Sequence, residues 1–331
     1  MNRRLFLLSA SAVVTGCAPM VQMAGAPELG FSGARLEGDT FFSFDGARMG
    51  LKRWLPEGEP TVVIAALHGM NDYANAFHFA APVWAGQGVA TYAFDQRGFG
   101  RSPGRGVWAG EALMTEDLRV FVALLRARHP GATLVVAGES MGGAVAIAAF
   151  ASDRPPAADR LVLMAPAVWG WSSQPLPFKT ALWFTAHLAG ETVLRPPSWV
   201  AERVHPSDNR EELIAMGRDR MLIWGARNDT LYGLVQLMQT AWQSTGRIAV
   251  PVGWFYGAND EVIPKVATFR AAGRLKPTDR TAYYAHGWHL LTRDLQRDVV
   301  IADIQSFILD PAAPLPSGAP PIPPPGRRPR A

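Results

Sequence analysis

Leu134-Val-Val-Ala-Gly138-Glu139-Ser140-Met141-Gly142-Gly143-Ala-Val-Ala-Ile-Ala148 is the stretch from which the rest of the chain can be read. The apolar, β-branched run predicts a buried strand and the alanine-rich run predicts a helix. The G-x-S-x-G between them leaves no room for a loop. A strand that turns directly into a helix holds its corner residue in a strained conformation at the strand end, and small neighbours let other backbone pass close by. The helix N-terminus behind that corner presents unpaired N–H groups and a positive dipole where an oxyanion would form. Ser140 is therefore the candidate nucleophile, and the N–H of Met141 a candidate oxyanion donor.

The same rhythm extends in both directions. Phe41-Phe-Ser-Phe, Asp45-Gly46 and Met49-Gly-Leu-Lys-Arg-Trp54 predict a β-hairpin. Thr61 to Leu67 reads as a buried strand ending in His68-Gly69-Met70, and Val89 to Phe94 as another ending in Asp95-Gln96-Arg97-Gly98-Phe99-Gly100. Leu113 to Arg128 has Leu118, Phe121, Leu124 and Leu125 on one helical face. Strands follow at Leu161–Met164, Val252–Tyr256 and Thr281–Ala285, with helical patterns at Pro264–Leu275 and Leu295–Leu309. Alternating strands and helices at this spacing imply an α/β class protein with a mostly parallel central sheet flanked by helices. The alternation breaks at about residues 168–245, which hold Trp169, Trp171, Trp183, Trp199, Trp224 and Trp242 among helix-interrupting prolines. That stretch is expected to be a helical cap inserted between two core strands.

A serine hydroxyl does not attack a carbonyl at neutral pH without a base, and the base needs an acid to orient it. When a serine sits at a corner of this kind, the partners follow in the order Ser, Asp or Glu, His. Asp260 lies on the loop after the strand at 252–256, with Glu261 beside it and Asp229, at the edge of the cap, as a competitor. His286 and His289 both follow the last strand. His289, on the turn entering the final helix, is preferred as the base. The second oxyanion donor is expected from the loop after Thr61–Leu67, as the N–H of Met70, with the His68 side chain bracing that loop. Arg97 is expected to organise its own loop through hydrogen bonds and to take no chemical step.

His68-Gly69, the run Asp95-Gln-Arg97-Gly98-Phe-Gly100-Arg-Ser102, Gly138-Glu-Ser140-Met-Gly142-Gly143, Gly257-x-x-Asp260 and His289-x-Leu291 occur in this order. Together they resemble the α/β-hydrolase fold in its monoacylglycerol lipase / lysophospholipase-like branch. The likeness covers roughly Phe41 to Ile308 and is weakest in the cap; the abundance of tryptophan there, and Trp288 directly before His289, depart from the pattern. The resemblance implies a carboxylester site beneath a helical cap, an acyl-enzyme intermediate, and neither a metal nor an organic cofactor. The substrate it implies is a small-molecule ester of lipid type, such as a monoacylglycerol or lysophospholipid. Trp171 and Trp183 are expected to line the acyl-binding wall, where burial is worth about 0.8 kcal/mol per CH₂. A serine aminopeptidase of the proline iminopeptidase type would use the same triad, and a non-catalytic envelope binding protein is a third reading. Dehalogenases and epoxide hydrolases of this fold usually carry Asp at the corner, which Ser140 argues against.

The ends of the chain differ from its body. Arg3-Arg4 and the short apolar stretch from Leu5 to Val14 read as a secretory signal, too short to span a membrane. Val14-Thr15-Gly16-Cys17 resembles a bacterial lipoprotein box, which implies removal of residues 1–16 and lipid on Cys17; Ala18 after the cysteine favours outer-membrane sorting. An ordinary signal with a chance cysteine and a first buried strand are the other readings, and Arg3-Arg4-Leu5-Phe6-Leu7 also resembles a twin-arginine signal. Cys17 is the only cysteine, so no intrachain disulfide can form. Residues 17–40 are expected to be a linker to a hydrolase domain at 41–310. Residues 311–331, with nine prolines in 21 residues, are expected to be a disordered tail. The formal net charge of +4 becomes −1 once Arg3, Arg4, Arg327, Arg328 and Arg330 are set aside, so nothing in the body suggests a nucleic-acid face.

Overall fold

A computed structural model describes residues 18–195 and 203–326. The signal segment with Cys17, Trp199 with its flanking residues, and the last five residues lie outside the described part. Nine strands form one sheet. β1 (Arg35–Glu37), β2 (Thr40–Phe42) and β3 (Arg48–Trp54) are antiparallel, with Phe41 opposite Met49 across the expected hairpin. β3 pairs antiparallel with β5 (Val89–Phe94), and from there the sheet is parallel. It runs from β5 through β4 (Val62–Leu67), β6 (Thr133–Glu139), β7 (Arg160–Met164) and β10 (Val252–Gly257) to β11 (Arg280–Tyr284). Every residue of β4, β5 and β10 is buried, as expected for strands covered on both faces.

The helices bearing on the site are α1 (Glu111–Arg128) and α2 (Met141–Phe150). α2 is buried on all sides, lying against β6, α1 and the cap. Its Ala-rich sequence is what such a position requires, because small side chains let three neighbours approach one helix. Ile147 and Phe150 each contribute about 1.5–3 kcal/mol by leaving water.

The cap enters after β7 and leaves before β10, as expected. It comprises α3 (Leu176–Leu188), α4 (Arg210–Arg218), α5 (Asn228–Ser244) and a two-residue ladder of β8 (Val193–Leu194) with β9 (Ala226–Arg227). α5 packs on both α2 and α3, coupling the cap to the helix behind Ser140.

Two boundary expectations are corrected. Residues 18–40 are not a free linker: β1 extends the sheet, Gln22 N–H donates to Trp108 O (2.9 Å), and Gly25 N–H donates to Asp45 Oδ2 (2.8 Å). The described part of the proline-rich tail is a strap along the sheet edge. Tyr283 N–H of β11 donates to Pro320 O (2.8 Å), Ile322 N–H donates to Thr281 Oγ1 (3.0 Å), and Ile322 is buried. Prolines lack a donor but keep their carbonyls, and an edge strand has unpaired N–H groups to satisfy.

Candidate active site

In a parallel sheet all strands end on one side, and loops at those carboxyl ends form the crevice where ligands bind. Ser140 directly follows β6, Met70 follows β4, Asp260 follows β10 and His289 follows β11. The sheet order therefore gathers residues spread over 220 positions onto one edge.

Ser140 has φ 51° and ψ −116°, a left-handed conformation that costs a residue with a side chain about 1–3 kcal/mol. Three hydrogen bonds hold it there: Ser140 N–H donates to Met164 O (3.0 Å), and Ser140 O accepts from Ala144 N–H (3.1 Å) and Ala167 N–H (2.9 Å). The end of β7 and the first turn of α2 thus fix the corner. A Cβ on Gly142 would lie 2.3 Å from Leu67 O, and one on Gly138 would lie 2.6 Å from Gly142 O. These glycines let the end of β4 cross directly over the corner. Ser140 itself is only half-buried and remains reachable.

Gly69 brings the next loop against the serine, since a Cβ there would stand 3.3 Å from Ser140 Cβ. His68, fully buried, braces this loop as expected. Its Nε2 accepts from Gln96 N–H (2.9 Å), which leaves the proton on Nδ1 to be donated to Gly69 O (2.7 Å). Burial holds the ring below its ordinary pKa and neutral. With the Gly69 carbonyl tied to His68, the planar trans peptide turns the Met70 N–H the opposite way. Met141 begins α2, so its N–H is among the first-turn donors without an intrahelical acceptor.

Asp260 Oδ1 accepts from Val262 N–H (2.8 Å) and Ile263 N–H (2.9 Å), and Oδ2 meets His289 Nδ1 at 2.9 Å. The carboxylate is an acceptor on both sides, which places the ring proton on Nδ1 and the lone pair on Nε2. Burial would lower the His289 pKa, but the Asp260 charge, its hydrogen bond and the Glu139 charge outweigh it and raise the value. The competitors are placed elsewhere. His286 is exposed, Glu261 accepts from His205 N–H (2.7 Å), and Asp229 is bound by Arg227 (2.6 Å) at the start of α5.

Arg97 is buried between two carboxylates, donating to Asp45 through both terminal nitrogens (2.8 Å each) and to Asp117 from Nε (2.6 Å) and Nη2 (2.7 Å). It joins the β2–β3 turn to α1. Trp171 packs on Tyr232 of α5 (5.3 Å between centroids), while Trp183 is half-exposed and stacked on His187 (4.2 Å). Leu176, Phe178, Phe184 and Leu188 of α3 are also exposed, so this helix presents several apolar side chains to solvent. Arg293 carried no signal in the sequence. It is buried four residues after His289 and donates to Asp72 (2.8 Å) and Glu139 (2.5 Å).

Fold and site define an α/β-hydrolase-fold serine hydrolase, a carboxylic ester hydrolase. The chain belongs to the family described as serine aminopeptidase S33, whose profile matches residues 58–296. It is 25% identical over 285 residues to a monoacylglycerol lipase of Mycolicibacterium smegmatis, spanning 82% of this chain and 96% of that one. It is also 25% identical over 263 residues to the human monoglyceride lipase, spanning 76% and 82%. Among solved structures, a soluble variant of the monoglyceride lipase of Saccharomyces cerevisiae superposes with a TM-score of 0.70 at 17% identity, over 88% of this chain and all of that one. A carboxyl esterase from Bacillus coagulans gives 0.66 at 19%, over 83% and 98%.

Proposed function

We propose that the protein hydrolyses lipid-like carboxylic esters, of monoacylglycerol or lysophospholipid type, with Ser140, His289 and Asp260 as the catalytic triad. The observation that carries the triad is the Asp260–His289 hydrogen bond on the same sheet edge as the strained Ser140. His289 Nε2 takes the proton as Ser140 Oγ adds to the ester carbonyl, and Asp260 stabilises the imidazolium. The Met70 and Met141 N–H groups receive the oxyanion. Its collapse expels the alcohol, protonated by His289, and leaves an acyl-enzyme. Water, activated by the same Nε2, then releases the acid.

His289 must be neutral to act as base. Because its pKa is raised above the ordinary 6.5, kcat/KM is expected to fall on acidification along a limb centred above pH 6.5. A pH profile of p-nitrophenyl butyrate hydrolysis with that limb at or below 6.5 would contradict the assignment.

The lipid reading draws on the curated relatives and on the aromatic and aliphatic cap. Trp171→Ala and Trp183→Ala are expected to lower kcat/KM for decanoyl esters about 10-fold while leaving acetyl esters nearly unchanged. Losing contact with about two buried methylenes has that size. The experiment is a chain-length series of p-nitrophenyl esters with aminoacyl amides as a parallel arm. Parallel losses across chain lengths at unchanged stability would remove the cap from acyl recognition, and faster turnover of the amides would favour the aminopeptidase reading.

We also propose that Cys17, which lies outside the described residues, is acylated and tethers the enzyme to a bacterial envelope membrane, the outer membrane being favoured. Mass spectrometry of the membrane-extracted protein should find a mature chain beginning at lipidated Cys17. Cys17→Ser should block processing or release the protein. A mature N-terminus elsewhere would reject the anchor.

A further inference from the structure

An isolated buried guanidinium costs several kcal/mol, so the partners of a buried arginine are strongly fixed. Arg293 is 2% exposed. Its Nη1 donates to Asp72 Oδ2 (2.8 Å) and its Nη2 to Glu139 Oε1 (2.5 Å), across 221 and 154 residues of sequence. Its own backbone is held too: Arg293 N–H donates to Leu290 O (2.8 Å), and Arg293 O accepts from Asn209 Nδ2 (2.9 Å).

Each partner is close in sequence to a reacting group. Asp72 is two residues beyond Met70, Glu139 directly precedes Ser140, and Arg293 lies four residues beyond His289, in the turns before the final helix. We infer that Arg293 is a positioning residue, locking together the loop of the oxyanion donor, the nucleophile corner and the loop of the base. The planar fork of arginine reaches two carboxylates in different directions at once, whereas the ammonium of lysine is a single point. One residue separates Asp72 from Met70 and none separates Glu139 from Ser140, so a displacement at the guanidinium has a short path to the site. A cavity of about 110 Å³ borders the cluster on the cap side, lined by Asp72, His78, Glu212, Met216 and Arg293 among others, so a shortened side chain there can be hydrated.

The cluster also sets the charge around the imidazole. Asp260, Glu139, Arg293 and Asp294 all face His289; Glu139 raises its pKa and Arg293 lowers it.

This inference rests on the triad assignment and is independent of the lipid reading. The test uses p-nitrophenyl butyrate and a fluorophosphonate probe on the intact chain and on Arg293→Met, Arg293→Lys, Glu139→Gln and the double variant Arg293→Met/Glu139→Gln. Arg293→Met is expected to lose about 10²-fold in kcat, the cost of a misplacement near 1 Å, with KM changed less than about 3-fold. Arg293→Lys should lie between it and the wild type. The double variant removes the Glu139 charge and leaves Asp72 as the one carboxylate of the cluster without its cation, beside the hydratable cavity, so its melting temperature should recover part of the way toward the wild-type value while kcat stays low. The acidic limb of kcat/KM should move to lower pH in Glu139→Gln and return in the double variant. Near-normal kcat in Arg293→Met would overturn the inference, as would recovery of kcat together with stability in the double variant. If Arg293→Met does not fold, unchanged kcat in Arg293→Lys would overturn it equally. A wild type that reacts with neither ester nor probe would instead remove the triad assignment beneath it.

Discussion

Ser140→Ala is expected to abolish ester turnover, a loss of about 10⁶-fold in kcat, while the protein stays folded. The hydroxyl is the only group that can form the acyl-enzyme, and its removal leaves just the contribution of the oxyanion donors and substrate binding. The fold should be indifferent. The strain at φ 51° is a property of the backbone, and alanine meets it as serine does. The three hydrogen bonds at this corner use Ser140 N–H and O, and all survive the change. Ser140 is half-buried, so no core volume is lost. The melting temperature should therefore change by no more than about 2 °C, roughly the shift that 1 kcal/mol would cause in a chain of this size. A fluorophosphonate probe should label the wild type and not the variant. Equal labelling of both would remove Ser140 from the chemistry and leave the corner a structural feature.

How legible each part was depends on how local its cause is. The corner was readable because strand, turn and helix are contiguous, and because Gly138 and Gly142 are forced by backbone within a few residues or by the end of β4. Asp260 and His289 were readable because a parallel sheet leaves few loops at its carboxyl edge, and their order along the chain follows. Arg293 was not readable. Its partners, Asp72 and Glu139, look like ordinary charged residues until folding buries all three, and no spacing rule relates positions so far apart. The proline-rich strap failed for a different reason. Composition counts the donors a segment lacks, whereas what docks it is the acceptors it keeps and the few donors left between its prolines, together with the unpaired edge of β11. β1 was missed because three residues with one strand neighbour carry little hydrophobic signal.

His289→Ala is expected to be as damaging as loss of the serine, because triad members act as a unit, and Asp260→Asn to cost about 10⁴-fold. The two losses differ in cause. Without His289 no group accepts the Ser140 proton. In Asp260→Asn the side-chain oxygen can still accept from Val262 and Ile263 N–H, so the loop after β10 keeps its shape. The amide NH₂, however, then faces His289 Nδ1 where a carboxylate oxygen stood at 2.9 Å. An amide donor there drives the ring proton from Nδ1 to Nε2, the nitrogen that must be bare to act as base. The acid limb of kcat/KM should also fall, since the carboxylate that raised the imidazole is gone. His286→Ala should be nearly silent, because that ring is exposed and the Asp260 carboxylate is already engaged by His289. Adding Asp260→Asn to His289→Ala should cost little more, as an orienting acid without a base has nothing to orient. Steady-state kinetics on the four variants, with melting curves to confirm folding, decide the matter. Retention of more than about a tenth of wild-type kcat in His289→Ala, or inactivation by His286→Ala, would move the base to the other histidine.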